Sequence, residues 1–218
     1  VVSSGLIVQV MIWGLYAGCI YILLATGLNL IFGVMKIVNF AHGELLMLGA
    51  YITFTFFALS GFNPYVLLAA SLPLLMLVGV IIERTCFRPI LGTGKLNEIF
   101  ISIGLIYIIQ NAVAIIWGDE WRSIHSPYER ITIDIFGVNM PLDYLIIIIT
   151  TISILIILFL FMQRTRLGKA MRATSQNRKG AMLMGINVER MDMLSFGIGA
   201  GLAGAAGMVI CHDLLSGH

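Results

Sequence analysis

The chain has 218 residues, of which 59% are hydrophobic and only 11% charged, and its mean hydropathy is +0.99. A water-soluble domain carries roughly 25% charged residues to cover its surface, so a soluble fold is excluded and an integral membrane protein is implied. The net charge of +2 decides little; where the charges lie decides more.

Crossing the hydrocarbon takes about 20 residues of helix. Uncharged runs on that scale predict an all-α, polytopic transmembrane bundle with six spans, near residues 6–28, 45–61, 64–82, 99–118, 144–163 and 193–212. In the first run, Gly27 and Gly33 weaken the case for helix continuing beyond Leu28. Residues 33–43 and the next residue, Glu44, follow and bring Asn39, His42 and Glu44 between two apolar runs. Two readings stay open there. One is a helix break that turns polar groups toward a solute; the other is an ordinary cytoplasmic turn with Lys36 and Glu44 among the headgroups.

The second and third spans form one long apolar run, split by the turn chemistry of Gly61-Phe62-Asn63-Pro64. After them, Gly92-Thr93-Gly94-Lys95 has the look of a phosphate-binding loop, but Pro89 and Leu96 stand where that loop needs Gly and Ser or Thr. A nucleotide site is rejected. Gln110 and Asn111 lie inside the fourth span and Asn29 near the end of the first. Amides in lipid need partners, so they either bond between helices or line a polar pathway. Glu44, Glu83 and Glu98 are all expected at span ends, which counts against an ion-coupled carrier with carboxylates deep in the membrane.

Loop 119–143 carries Asp119, Glu120, Glu129, Asp134 and Asp143. Loop 164–192 is basic and rich in helix formers, with Gly185-Ile186-Asn187 as a stop. It reads equally as a basic helix resting on anionic membrane lipid or as a surface whose apolar stretch 181–184 fits a groove on a soluble partner. The last span holds Gly197 and Gly201 at GxxxG spacing, extended by Gly204 and Gly207, and is read as a helix-packing face.

Eleven Lys and Arg side chains fall on the side of loops 36–44, 84–98 and 164–192, against Arg122 and Arg130 on the other. The bias puts those loops in the cytoplasm and the N-terminus outside. The first run has no basic leader, so it does not read as a signal peptide. The cysteines (Cys19, Cys86, Cys211) and histidines (His42, His125, His212, His218) are scattered, without disulfide or metal-ligand spacing. No nucleophile–base pair stands out; no catalytic residue, metal, cofactor or nucleic-acid partner is expected.

Three stretches are similar to a known family: Gly27-Leu28-Asn29-Leu30-Ile31-Phe32-Gly33-Val34-Met35, Asn39-Phe40-Ala41-His42-Gly43-Glu44 and Met47-Leu48-Gly49-Ala50-Tyr51. They resemble the permease subunits of bacterial branched-chain amino acid ABC importers, and more closely the high-affinity permease type carrying the NFAHG signature. Arg172-Ala173, Gln176-Asn177-Arg178 and Gly185-Ile186-Asn187 resemble that family's cytoplasmic loop, and the likeness covers roughly residues 6–210. It implies a single permease domain over 1–218 in the bacterial cytoplasmic (inner) membrane, not itself an enzyme. The implied partners are a second permease subunit, two cytoplasmic ATP-binding subunits and a periplasmic substrate-binding protein.

The family's docking motif (Glu-Ala-Ala, three residues, Gly) falls on Lys179-Gly180-Ala181 and Gly185, of which Ala181 and Gly185 match. Arg172, Arg178, Lys179, Ala181 and Gly185 are therefore the expected ATPase-docking residues. Asn29, Asn39, His42, Glu44, Gln110 and Asn111 are the expected substrate pathway. The family continues through further spans where this sequence reads Cys211-His212-Asp213 and a short polar tail, so truncation or a frame change near Met208 is expected. A urea or short-amide permease, a carrier or channel working without ATP, and a membrane scaffold are the alternatives.

Overall fold

In a bilayer every backbone N–H and C=O must be satisfied within its own element, so the apolar runs fold as helices. The computed structural model describes residues 4–118, 128, 131–135 and 138–213. Asp119, Glu120, Arg122, His125, Glu129, Arg130 and the tail beyond Asp213 lie outside the described residues.

Helix α1 spans Ser4–Met35, α2 His42–Ser60, α3 Pro64–Ile82 and α4 Lys95–Trp117. Strands β1 (Thr132–Ile135) and β2 (Val138–Pro141) form a small antiparallel hairpin inside loop 119–143. Then come α5 (Leu142–Arg164), the short helices α6 (Arg166–Gln176) and α7 (Arg178–Leu183), and α8 (Val188–Asp213). Six of these helices are long and apolar enough to cross a membrane. They alternate in direction, giving the bundle a hairpin end and an opposite loop end that carries α6 and α7.

Local chemistry sets the turns. Gly61 ends α2 in the left-handed region (φ 65°), and the Asn63 side chain caps α3 by accepting from Tyr65 N–H at 3.0 Å, with Pro64 leading the helix. A π-helical turn (Glu83–Phe87) and a 3-10 turn (Arg88–Ile90) close α3. At the end of α7, Gly185 takes φ 78°, its N–H bonds Met182 O and Ile186 N–H bonds Ala181 O, both at 3.0 Å. That double bond pattern is a Schellman stop.

The core is built around α8. Its membrane-length window is 78% buried, against at most 33% for any other candidate span. It packs on α1, α2 and α3, and each of those helices meets it at a glycine. A Cβ on Gly27 of α1 would stand 2.7 Å from Gly199 O; a Cβ on Gly49 of α2 would strike the Gly204 backbone; a Cβ on Gly79 of α3 would strike Ala200. Gly197 and Gly201 face Met76 of α3, and Gly204 lies between Leu75 of α3 and Gly49 of α2. Gly207 rests on the backbone of Leu46 and Ala50.

This packing corrects the expectation that Gly27 and Gly33 weaken α1. The helix runs unbroken to Met35, because close approach at Gly27 outweighs a propensity loss of about 1 kcal/mol. The outer helices hold on by aromatic contacts. Trp117 of α4 donates to Thr55 Oγ1 at 2.7 Å and lies 5.5 Å from Tyr51. Tyr144 of α5 stacks on Tyr16 at 4.4 Å, and the Tyr16 hydroxyl donates to Val209 O.

Gly49→Ala should cost roughly 2–3 kcal/mol, the price of forcing a methyl into a filled core. Gly104→Ala, where a Cβ meets nothing within 4 Å inside helix α4, should leave stability unchanged or raise it by up to about 1 kcal/mol. Thermal unfolding in detergent compares the two.

Candidate functional site

The link between α1 and α2 is not a surface turn. Lys36 ends α1 with φ 63° while its N–H still bonds Phe32 O at 2.9 Å. From there the chain alternates: Ile37, Asn39 and Ala41 are buried, Val38 and Phe40 exposed. The segment runs back up beside α1 and turns at Phe40–Ala41 (Ala41 φ −77°, ψ 9°) into α2. The Asn39 side chain accepts from Ala41 N–H at 3.0 Å and holds the entry to α2.

His42, first residue of α2, then reaches Leu24 O through Nε2 at 3.1 Å. A carbonyl only accepts, so Nε2 carries the proton and Nδ1 offers a lone pair. Leu24 lies roughly 16 Å back from Met35 at the helical rise of about 1.5 Å per residue. Helix α2 therefore begins inside the bundle. Asn39 and His42 are buried at 2% and 4% exposure, and Asn39 Nδ2 and His42 Nδ1 have no hydrogen-bond partner among the described residues.

Two residues on, Glu44 accepts a hydrogen bond from Gln110 Nε2 of α4 at 2.9 Å. Gln110 stands roughly 22 Å along α4 from Lys95 by the same rise, so the carboxylate lies well inside the span. As expected, Glu44 falls at the end of its span, His42–Ser60. That helix starts deep because residues 36–41 climb before it forms. The pair lies on an open face of the chain, beside exposed Asn111, whose side chain donates to Tyr107 O at 2.7 Å.

Asn29 is placed elsewhere. With Gly33, Met171, Arg172, Ser175 and Gln176 it lines a cleft of about 250 Å3 between α1, α5 and α6. Of the six expected pathway residues, the structure thus pairs Glu44 with Gln110, sets Asn111 beside them, buries Asn39 and His42 behind them, and separates Asn29.

The expected docking residues also divide. Lys179 and Gly185 are exposed. Arg172 donates to Gln163 Oε1 at 2.9 Å. Ala181 is buried, and Arg178 reaches inward to Asp192 Oδ1 at 2.9 Å. The open tip of the loop is apolar instead: Met182, Leu183 and Met184 are 52%, 89% and 83% exposed.

Sequence reasoning missed a charged cluster at the loop end, where Glu83, Arg88, Arg178, Glu189 and Asp192 gather around the start of α8. The available signal was two acids, Glu83 and Asp192, set against the ends of apolar runs in an otherwise basic region. Among the described residues, no three His, Cys, Asp or Glu side chains converge in a way that would hold a metal ion.

A family model described as branched-chain amino acid transport system / permease component matches residues 10–216. The chain is 33% identical over 214 residues to the high-affinity branched-chain amino acid transport system permease protein BraD of Pseudomonas aeruginosa, covering 93% of this chain and 70% of that one. It is 30% identical, with the same coverage, to the permease protein LivH of Salmonella typhimurium and to LivH of Escherichia coli, both of the high-affinity branched-chain amino acid transport system. No solved structure matches the chain.

The geometry separates an anchor from an open pair. His42→Ala should cost about 2 kcal/mol, from a lost buried hydrogen bond and the space left behind. Gln110→Leu, at an exposed position, should shift stability by no more than about 0.5 kcal/mol. Thermal midpoints of the two variants in detergent check the contrast.

Proposed function

The chain belongs to the permease-component family of branched-chain amino acid transport systems, and from there we propose that it forms part of the pathway by which an ATP-driven importer moves branched-chain amino acids into a bacterium. It is a multi-pass membrane protein. In this reading its N-terminus lies outside the cytoplasmic membrane, and residues 1–218 act as one permease domain. A second permease subunit faces it, a periplasmic binding protein delivers substrate, and two cytoplasmic ATP-binding subunits hydrolyse ATP.

The observation that carries the reading is the Glu44–Gln110 pair on an open face deep in the bundle. A carboxylate at that depth is costly in lipid unless it is paired or lines a wet path. An amino acid in transit has the opposite need, since its charged and hydrogen-bonding groups lose water as it enters. One carboxylate and the amides of Gln110 and Asn111 meet that need without forming a closed, tight site. The aliphatic substrate side chain suits the apolar surface around them. Asn39 and His42 act behind the pair, holding the start of α2 at that depth.

Loop 164–192 is the drive surface in this account. The tip Met182-Leu183-Met184 gives an apolar knob for a groove on the ATPase, with Lys179 beside it. Motion of the ATPase pair would move α6 and α7, and α8 would pass the motion to α1, α2 and α3 on its glycine contacts. The deep carboxylate also suits a carrier that needs no ATP; transport by the chain without ATPase subunits would favour that reading.

Two outcomes are expected. A complex with its ATPase, partner permease and binding protein in nanodiscs should hydrolyse ATP faster when leucine is loaded, and Glu44→Gln should lower leucine transport at least tenfold with the complex intact. Stimulation by urea instead would move the substrate class and keep the architecture. Leu183→Asp should remove most of the co-purifying ATPase, whereas Leu59→Asp, 81% exposed at the hairpin end, should not.

A further inference from the structure

Glu83 is a buried group to which the proposed pathway gives no role. It is the first residue of the π turn that closes α3, it has 0% exposure, and neither carboxylate oxygen has a hydrogen-bond partner among the described residues. The charges that bear on it are Asp192 of α8, Arg84 and Arg88 of its own connecting segment, and Arg178 of α7. Arg84 is exposed, and Arg88 is paired with Glu189 at the start of α8. Arg178 gives both terminal nitrogens to Asp192, whose side chain is 1% exposed. Of the three guanidiniums whose charge bears on Glu83, Arg178 is therefore the one already bonded to a second buried carboxylate. A planar fork satisfies one carboxylate at a time, and the one left over has acceptors without donors.

The two carboxylates and the guanidinium stand on elements of different mobility. Phe87, one turn after Glu83, packs on Phe196, one turn after Asp192, with ring centres 5.1 Å apart. That contact and the Arg88–Glu189 pair fix the end of α3 to α8. Arg178 instead rides on α7, a six-residue helix bounded by the capping residue Asn177 and the left-handed Gly185. Its outer part remains open, since the side chain is 37% exposed.

We propose that Glu83 is the second seat of Arg178: when the ATPase displaces α7, the guanidinium leaves Asp192 for Glu83, so the docking loop has two charge-paired positions. Glu83 is then a positioning residue for the coupled cycle. The inference rests on the reading of α7 as the docking element. In either position one carboxylate is satisfied and one is not, so neither position is a deep trap and the loop can be driven back.

The test is ATP hydrolysis by the assembled complex in nanodiscs, with and without leucine-loaded binding protein. Glu83→Gln keeps the shape but removes the second charged seat, and should lower stimulation at least tenfold in a complex that still elutes intact. Glu83→Asp should recover part of it. Asp192→Asn removes the first seat and should raise unstimulated hydrolysis severalfold; a merely structural role would not move the two substitutions in opposite directions. Stimulated wild type with Glu83→Gln at the wild-type level overturns the two-seat latch alone, as does Glu83→Gln and Asp192→Asn shifting hydrolysis in the same direction. Wild type stimulated by neither leucine-loaded nor urea-loaded binding protein overturns the docking reading and the latch with it.

Discussion

Close backbone contact around α8 is the constraint on which the rest depends. In lipid there is no water to expel between helices, so association comes from packing, and glycine lets it be closest. Gly199, Gly204 and Gly207 let α8 touch α1 and α2 at backbone distance, and Gly79 lets α3 do the same. With three helices held on one, α1 has no freedom to bend at Gly27. The entry to α2 is fixed in the groove between α1 and α8.

The position of the polar pair follows from that groove. The linking residues 36–41 climb beside α1, and His42 at the start of α2 reaches Leu24. Glu44 is thereby brought to Gln110 of α4. At the loop end the same helix, α8, receives Arg178 on Asp192 and Arg88 on Glu189. One central helix thus contacts both the element that places the polar pair and the element that carries the exposed apolar tip. A push on α7 has a short packed route to α2 through it.

Much of the helical architecture is legible in the sequence because hydropathy over about 20 residues reports lipid burial directly. The turn at Gly61-Phe62-Asn63-Pro64 and the stop at Gly185 are legible for a local reason, since they use residue types that only such backbone geometry requires. The depth of Glu44 was not legible. Five residues of alternating burial, Ile37 to Ala41, are too few to register as a packed segment between two helices, and hydropathy has no sense of a segment that turns back. The inward direction of Ala181 and Arg178 was hidden too. It depends on the short helix α7 being cut from α6 at Asn177, a cap that composition alone does not distinguish from continued helix. The Glu83–Asp192 cluster joins residues far apart in sequence, and no pattern within either segment announces the other.

The depth at which α2 begins is the measurement that bears most directly on the account. Gly43 is exposed and a Cβ there meets nothing within 4 Å, so a nitroxide on Gly43→Cys is tolerated, as is one on exposed Lys36→Cys. Power-saturation depth measurements in a bilayer should place the label at 43 roughly 15 Å farther from the headgroups at the loop end than the label at 36, by the helical rise along α1. Equal depths would make 36–44 an ordinary surface turn, and Glu44 would lose its place in the pathway.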